Sequence, residues 1–395
     1  MTKNAAGFEP KKVRAKVLAA EAYNQNQLRR YALRPFETRW CYYSGISTLW
    51  NRSLPALWAQ CWEGNSFLMS RPAGVANPEG VPFFFTRVLG DNDFQRGHSY
   101  YFPFRLQTTQ KQKGKKNSEP DTLFNVDNLA DTTLKANLSQ KARDYFTQLG
   151  ITNPDADADT AGLIWMHALA IGYSPAYLSE NADGIRQDWP RIPLPNSREL
   201  LFASAELGKQ VAALLDTENP VAGVTQKVRS ELKAIALISR VGSGNINPDS
   251  GELAITSGWG YAGSRGVTMP GKGKVVERPY TSQEEAAIKE GATALGLTTE
   301  QAMEQLGNTT CDIYLNDTAY WKNLPTKVWN YTIGGYQVIK KWLSYREERL
   351  LGRSLKKEEV REVSNMARRI SAILLLETEL DKNYQLIKQS TYSFD

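Results

Sequence analysis

Residues 329–346, WNYTIGGYQVIKKWLSYR, gather five aromatic rings around a Gly334-Gly335 pair and a Lys340-Lys341 pair. Trp329, Tyr331 and Ile333 alternate with polar residues, the period of a half-buried strand. Beyond the glycines, a helix would place Val338, Ile339, Trp342 and Leu343 on one arc and Gln337, Lys340, Lys341 and Ser344 on the other. The segment thus predicts a strand, a glycine break and an amphipathic helix, with its aromatics in a core. A helix starting beside two glycines leaves free amides and a positive dipole end facing outward. Gly334, Gly335, Lys340 and Lys341 are therefore candidate contacts for an anion such as a DNA phosphate.

Working outward, the chain mixes both kinds of secondary structure. KKVRAKVLAAEAYNQNQLRRYAL (11–33) lacks Pro and Gly and predicts a helix until Pro35 disfavours that conformation at Arg34. SFLMS (66–70), VPFFFTRVL (81–89) and YYFPFRL (100–106) read as strands. LSQKARDYFTQLG predicts a helix stopped at Gly150, and the almost wholly apolar AGLIWMHALAIGY (161–173) predicts a buried one. DWPRIPLPN (188–196) holds three prolines and must be extended. SRELLFASAELGKQVAALLD (197–216) and VTQKVRSELKAIALISR (224–240) show helical spacing, and GSGNINPDSG (242–251) predicts a loop. The Gly-rich stretch to Tyr280 suggests irregular β structure. Capping-box patterns at Thr281/Glu284 and Thr298/Gln301 open two further helices, and an amphipathic helix near the C-terminus calls for a partner. The reading is α+β: mixed β lobes with helical connectors and a C-terminal helical tail.

The 395 residues suffice to bury a core without disulfides or metal. Three scattered cysteines and two distant histidines, His98 and His167, build no zinc site and suit a reducing compartment. No apolar run reaches the roughly 18 residues of a membrane span, so a cytoplasmic protein is expected. Residues 1–116 carry 18 Lys and Arg against 7 Asp and Glu, a surplus of 11, leaving −5 for the rest of a chain whose total is +6. Concentrated positive charge among aromatics suits a nucleic-acid binder; a solvated face is the plainer alternative. Lys111, Lys113, Lys115 and Lys116 lie in a basic loop and suit phosphate tracking or simple solubility. Arg34 and Arg39 flank Pro35-Phe36; each could contact DNA or pair with an acid such as Glu37.

Catalytic motifs are missing. GWGYAG (258–263) matches a dinucleotide pattern, but Pro270 and further glycines follow where a helix is needed. GVTMPGKG (266–273) offers Gly273 where a P-loop needs Ser or Thr. No Pro-Pro follows Asn, Asp or Ser, as an adenine methyltransferase would require, and no nuclease signature has workable spacing. His98 and His167 read as hydrogen-bonded structural residues.

RPFETRWCYY (34–43), YYFPFRL (100–106), ALAIGYSPAYLSENADGIRQDWPRIPLP (168–195), CDIYLNDTAYW (311–321) and VWNYTIGGYQVIKKWLSYR (328–346) together resemble, in this order, the C-terminal target-recognition region of Type ISP restriction-modification enzymes. The resemblance covers roughly residues 29–375 of the chain. It implies a target-recognition-like α+β fold, with a first lobe over 29–216 and a second over 251–346; the sequence itself adds a helical lead-in (1–28), a helical connector and loop (217–250) longer than the family pattern, and a helical tail (347–395). It also implies sequence-specific recognition of double-stranded DNA in phage defence. The nuclease, helicase-like ATPase and N6-adenine methyltransferase, with their S-adenosylmethionine, ATP and Mg, are expected on a partner polypeptide. The alternatives are that the chain forms part of an active adenine-specific methyltransferase, or is a protein-interaction subunit of a defence complex.

Overall fold

The computed structural model describes residues 10–46, 49–50, 53–109, 132–263 and 267–394. The chain opens with α1 (Pro10–Ala20), a hairpin of β1 (Leu28–Arg34) and β2 (Glu37–Tyr42), and α2 (Pro55–Trp58). Strands β3 (Phe67–Ser70), β4 (Phe84–Thr86) and β5 (Tyr100–Pro103) form an antiparallel sheet ordered β4-β3-β5, and β6 (Arg105–Thr109) pairs with β7 (Thr132–Ala136). Helices follow: α3 (Gln140–Gln148), α4 (Ala158–Gly172), α5 (Pro175–Glu180), α6 (Ala182–Gln187), α7 (Arg198–Leu215) and α8 (Ser230–Lys233). Next come β8 (Leu237–Arg240), the paired β9 (Gly260–Ala262) and β10 (Thr268–Pro270), and β11 (Lys274–Arg278). Helices α9 (Ser282–Ala294) and α10 (Thr299–Leu306) separate these from β12 (Thr310–Tyr314) and β13 (Ala319–Pro325). The antiparallel sheet they build is ordered β11-β12-β13-β8. The chain ends with α11 (Thr326–Asn330), β14 (Thr332–Ile333), β15 (Tyr336–Gln337), α12 (Val338–Ser344), α13 (Glu348–Leu351), α14 (Lys357–Leu374) and α15 (Glu377–Gln389). This is the α+β architecture expected, with several small sheets.

One apolar cluster runs through both β regions, from Ala32 to Leu380, with Trp259, Trp321 and Trp342 fully buried within it. The C-terminal amphipathic helix finds its partner inside the chain: α14 buries Val363, Met366, Ile370 and Ile373 in the same cluster. Helices α4 and α7 pack so closely that a Cβ at Gly208 would collide with the Met166 carbonyl oxygen. His167, inside α4, is wholly buried; its Nε2 donates to the Pro193 carbonyl and its Nδ1 accepts from Ser204 Oγ, both at 2.8 Å. Burial holds this imidazole down at about 4, hence neutral. It is the structural histidine that its apolar surroundings predicted. The same bond pins the proline-rich 188–196 segment, aided by Tyr145 Oη donating to the Pro195 carbonyl at 2.8 Å. Both capping boxes are present, at Thr281/Glu284 and Thr298/Gln301.

Four local expectations are corrected. The helix foreseen over 11–33 stops at Ala20, and Leu28–Arg34 pairs instead as β1 with β2. Their tight turn is closed by Phe36 at φ 60, its ring buried edge-on to Phe84 at 5.7 Å. The YYFPFRL strand is split at Phe104, which is buried, so β5 and β6 join different sheets. The helix foreseen over 224–240 shrinks to α8. Its continuation is β8, whose backbone is drawn onto the edge of β13, and tertiary pairing overrides the local spacing. Within the opening segment, Trp329 belongs to α11 and only Thr332–Ile333 is strand.

Candidate nucleic-acid interface

Gly334 and Gly335 form the turn between β14 and β15, at φ 52 and 78. Side chains are disfavoured there both by the left-handed backbone and by crowding: a Cβ on Gly334 would collide with Gln95, and one on Gly335 with Ala76. The outward-facing amides expected of this pair are not available. Gly334 N donates to the Val81 carbonyl at 2.9 Å and Gly335 N to that of Glu79 at 2.7 Å. The helix, α12, begins three residues beyond Gly335, at Val338. The glycines serve close packing, because the turn wedges between two loops of the N-terminal half.

Lys341 also departs from expectation. It is buried, 8% exposed, rather than on a wet arc, and Ser344 beside it is fully buried. Its Nζ lies 5.1 Å from the Tyr336 ring centroid and 4.6 Å from that of Tyr345. Burial, with the nearby Arg34 and Arg96 guanidiniums, lowers this ammonium to about 8, so it stays largely charged at neutral pH. Short α12 packs on three sides, against α11, α14 and the β9–β10 ladder, which leaves little room for a polar face. Lys340 is half-buried, and among the described residues it has no ion-pair partner.

The two early arginines take structural partners. Arg34 Nη1 donates to Asp91 Oδ1 at 2.9 Å, and its guanidinium lies 5.7 Å from the Tyr336 ring and 5.6 Å from the Tyr345 ring. Arg39 forks onto Glu362 of α14 with two 2.8 Å bonds and reaches Glu37 at 3.3 Å. The acid foreseen as a partner, Glu37, receives its tightest bond from Arg346 Nη2 at 2.6 Å. Arg39 is thus held by two carboxylates, whereas Arg34 joins Lys341 at the tyrosine pair. Lys111, Lys113, Lys115 and Lys116 lie outside the described residues.

The dinucleotide look-alike GWGYAG is resolved by one carboxylate. Gly258 N and Trp259 N donate to Glu347 Oε1 and Oε2 at 3.0 and 2.7 Å, occupying the amides that a pyrophosphate would need, and strand β9 follows rather than a helix. Among the described residues no cluster of His, Cys, Asp or Glu could hold a metal ion, and no helix is long and apolar enough to cross a membrane.

Sequence reading missed Arg96, which exposes its side chain beside the glycine turn; its backbone N–H donates to the Gly334 carbonyl at 2.8 Å. Nothing in QRGHSYYF signals this, since the turn it meets lies more than two hundred residues away. It also missed an exposed aromatic edge, where Tyr100 and Phe102 meet Trp189 at 5.3 and 5.5 Å.

Three solved structures are similar to this chain to differing degrees. A DrdV–DNA complex matches with a TM-score of 0.52 and 16% identity, over 93% of this chain and 29% of that one. The ATP-dependent Type ISP enzyme LlaBIII bound to DNA matches with a TM-score of 0.49 and 12% identity, over 92% of this chain and 19% of its own. A nuclease-deletion mutant of the Type ISP enzyme LlaGI with a DNA substrate mimic gives 0.45 and 12%, over 92% and 25%. This chain therefore spans less than a third of each of these proteins. No curated protein matches the sequence. The model of the Type ISP C-terminal specificity domain covers residues 4–374. By that match across almost its whole length, the chain belongs to the family of Type ISP C-terminal specificity domains.

Proposed function

We propose that this specificity domain recognises a double-stranded DNA target on behalf of the adenine-N6 methyltransferase and nuclease of a Type ISP restriction-modification system. The observation that carries the reading is the family match over residues 4–374. The DrdV neighbour, whose fold this chain shares, was determined with DNA bound. The basic surplus of residues 1–116 adds a physical reason, since cations that neutralise phosphates gain from counterion release. In this reading S-adenosylmethionine, ATP and Mg act elsewhere in the system, and this chain supplies the contacts that choose the site.

The test is selection from a random duplex library, followed by titration at several salt concentrations, with and without a Type ISP methyltransferase partner. Recognition predicts an enriched sequence and an affinity that falls as salt rises. No enrichment together with salt-independent binding would overturn the proposal.

A further inference from the structure

Among the described residues no carboxylate forms an ion pair with Lys341. Asp91 accepts from Arg34 at 2.9 Å, Glu37 accepts from Arg346 at 2.6 Å, and Asp93 sits 3.2 Å from the His98 ring. The more distant Glu79 pairs with the buried Arg71. Among the described residues the Lys341 ammonium has no hydrogen-bonding or carboxylate partner, only the faces of Tyr336 and Tyr345. Yet the Lys341 residue as a whole is more than nine-tenths buried. A buried charge is costly unless compensated, and two tyrosine faces return only part of that cost. Arg34 and Arg96 act on Lys341 unfavourably, and Glu37 and Asp93 act favourably from beyond ion-pair distance.

Arg96 is the second unpaired cation here. Its backbone is held at the β14–β15 turn by the bond to Gly334, and among the described residues its exposed guanidinium meets no carboxylate. Tyr336, the residue after that turn, feels both Arg34 and Arg96. Two cations without an ion-pair partner among the described residues thus lie about one glycine turn, which leaves a place for an anion.

We propose that Lys341, over the Tyr336 ring, and Arg96, beside the glycine turn that precedes it, bind one phosphodiester of the DNA backbone. The proposal rests on the DNA-recognition reading and adds to it a particular contact. The ammonium supplies charge from behind the tyrosine pair, and the exposed guanidinium supplies a two-pronged donor to the phosphate oxygens. Arg34, held by Asp91, fixes the tyrosines and sustains the positive field. Such a contact sets position on the duplex and carries no base preference.

The experiment uses the full chain and a fluorescently labelled random-sequence duplex, titrated across a salt series. Lys341→Met keeps the length of the side chain and removes the charge; Arg96→Ala alters an exposed residue. Each is expected to weaken binding roughly tenfold and to flatten the slope of log K against log salt by about 0.9. Lys341→Met is also expected to hold or raise the melting temperature, because it removes a charge that no carboxylate compensates. Inorganic phosphate at matched ionic strength competes for the same cations and should narrow the gap between wild type and variants. A lower melting temperature in Lys341→Met with unchanged affinity would assign Lys341 to tyrosine packing alone. Wild-type affinity and slope in Arg96→Ala would overturn the site however Lys341→Met folds. Loss of this inference in that way leaves DNA recognition standing, whereas a wild-type chain that does not bind duplex at all removes both.

Discussion

Arg346 Nη2 lies 2.6 Å from Glu37 Oε1, joining residues 309 positions apart, with both side chains almost wholly buried at 5% and 3% exposure. Arg346 also covers the Trp342 ring at 3.7 Å. The pair ties the N-terminal β1–β2 hairpin to the end of α12, and Arg39 extends the tie to Glu362 on α14. Removing one partner leaves the other buried charge with longer contacts only, Glu37 to Arg39 at 3.3 Å or Arg346 to Glu359 and Glu362 at 3.9 Å. Arg346→Met or Glu37→Leu alone should cost about 3–5 kcal/mol, read by urea denaturation. The double variant should recover much of that loss. A double variant as unstable as the sum of the singles would show that the two do not act as a unit.

Gly208 and Gly150 separate two uses of glycine. At Gly208 an added Cβ meets the Met166 carbonyl oxygen, so Gly208→Ala must push α4 from α7, at a cost of about 1–3 kcal/mol or more. Gly150, at φ +71, has nothing within 4 Å of the same position. Gly150→Ala should therefore carry only backbone strain, about 1 kcal/mol. Paired thermal denaturation checks the order.

His167 makes stability depend on pH. Its imidazole is held down at about 4 from an ordinary 6.5 by burial, so the unfolded chain binds the extra proton between those values. Stability from this residue is fully present above about pH 6.5 and is lost as pH falls towards 4, by about 3 kcal/mol at most. Denaturation of wild type and His167→Asn across this range should show a shallower slope in the variant. Parallel slopes would place the pH dependence elsewhere.

Lys340 and Arg39 should respond in opposite ways. Arg39 carries bidentate bonds to Glu362, so Arg39→Ala should lower stability by about 1–3 kcal/mol while leaving the salt slope of duplex binding unchanged. Lys340 has no ion-pair partner among the described residues, so Lys340→Ala should spare the melting temperature. If its face meets phosphate, the same change weakens duplex binding and flattens the slope by about 0.9. Unchanged binding would return Lys340 to a simple solvated role.

Glu347→Ala should release the amides of Gly258 and Trp259 from their carboxylate. Two charge-assisted bonds are lost at a buried site, an expected cost of about 2–4 kcal/mol. Glu347→Gln retains one acceptor and should lie between the variant and wild type on the same urea scale.

The sequence by itself determined the α+β class, the two capping boxes, the buried α4 with its structural histidine and the extended proline segment. Each rests on residues within a few positions of one another, where side chains and backbone meet by local geometry alone. The β8 strand was not legible, because helical spacing over 224–240 is outweighed by hydrogen bonds to β13, whose residues lie about eighty positions further on. The candidate interface was legible only in outline. Periodicity placed Lys341 on the polar side of α12, but it describes an isolated helix, and α12 is packed on several sides. The acids that claim Arg34 and Arg39 lie 57 and 323 positions away, so only the folded chain could match them. That Lys341 and Arg96 are left without an ion-pair partner among the described residues is decided by those distant pairings, and tertiary structure alone makes them.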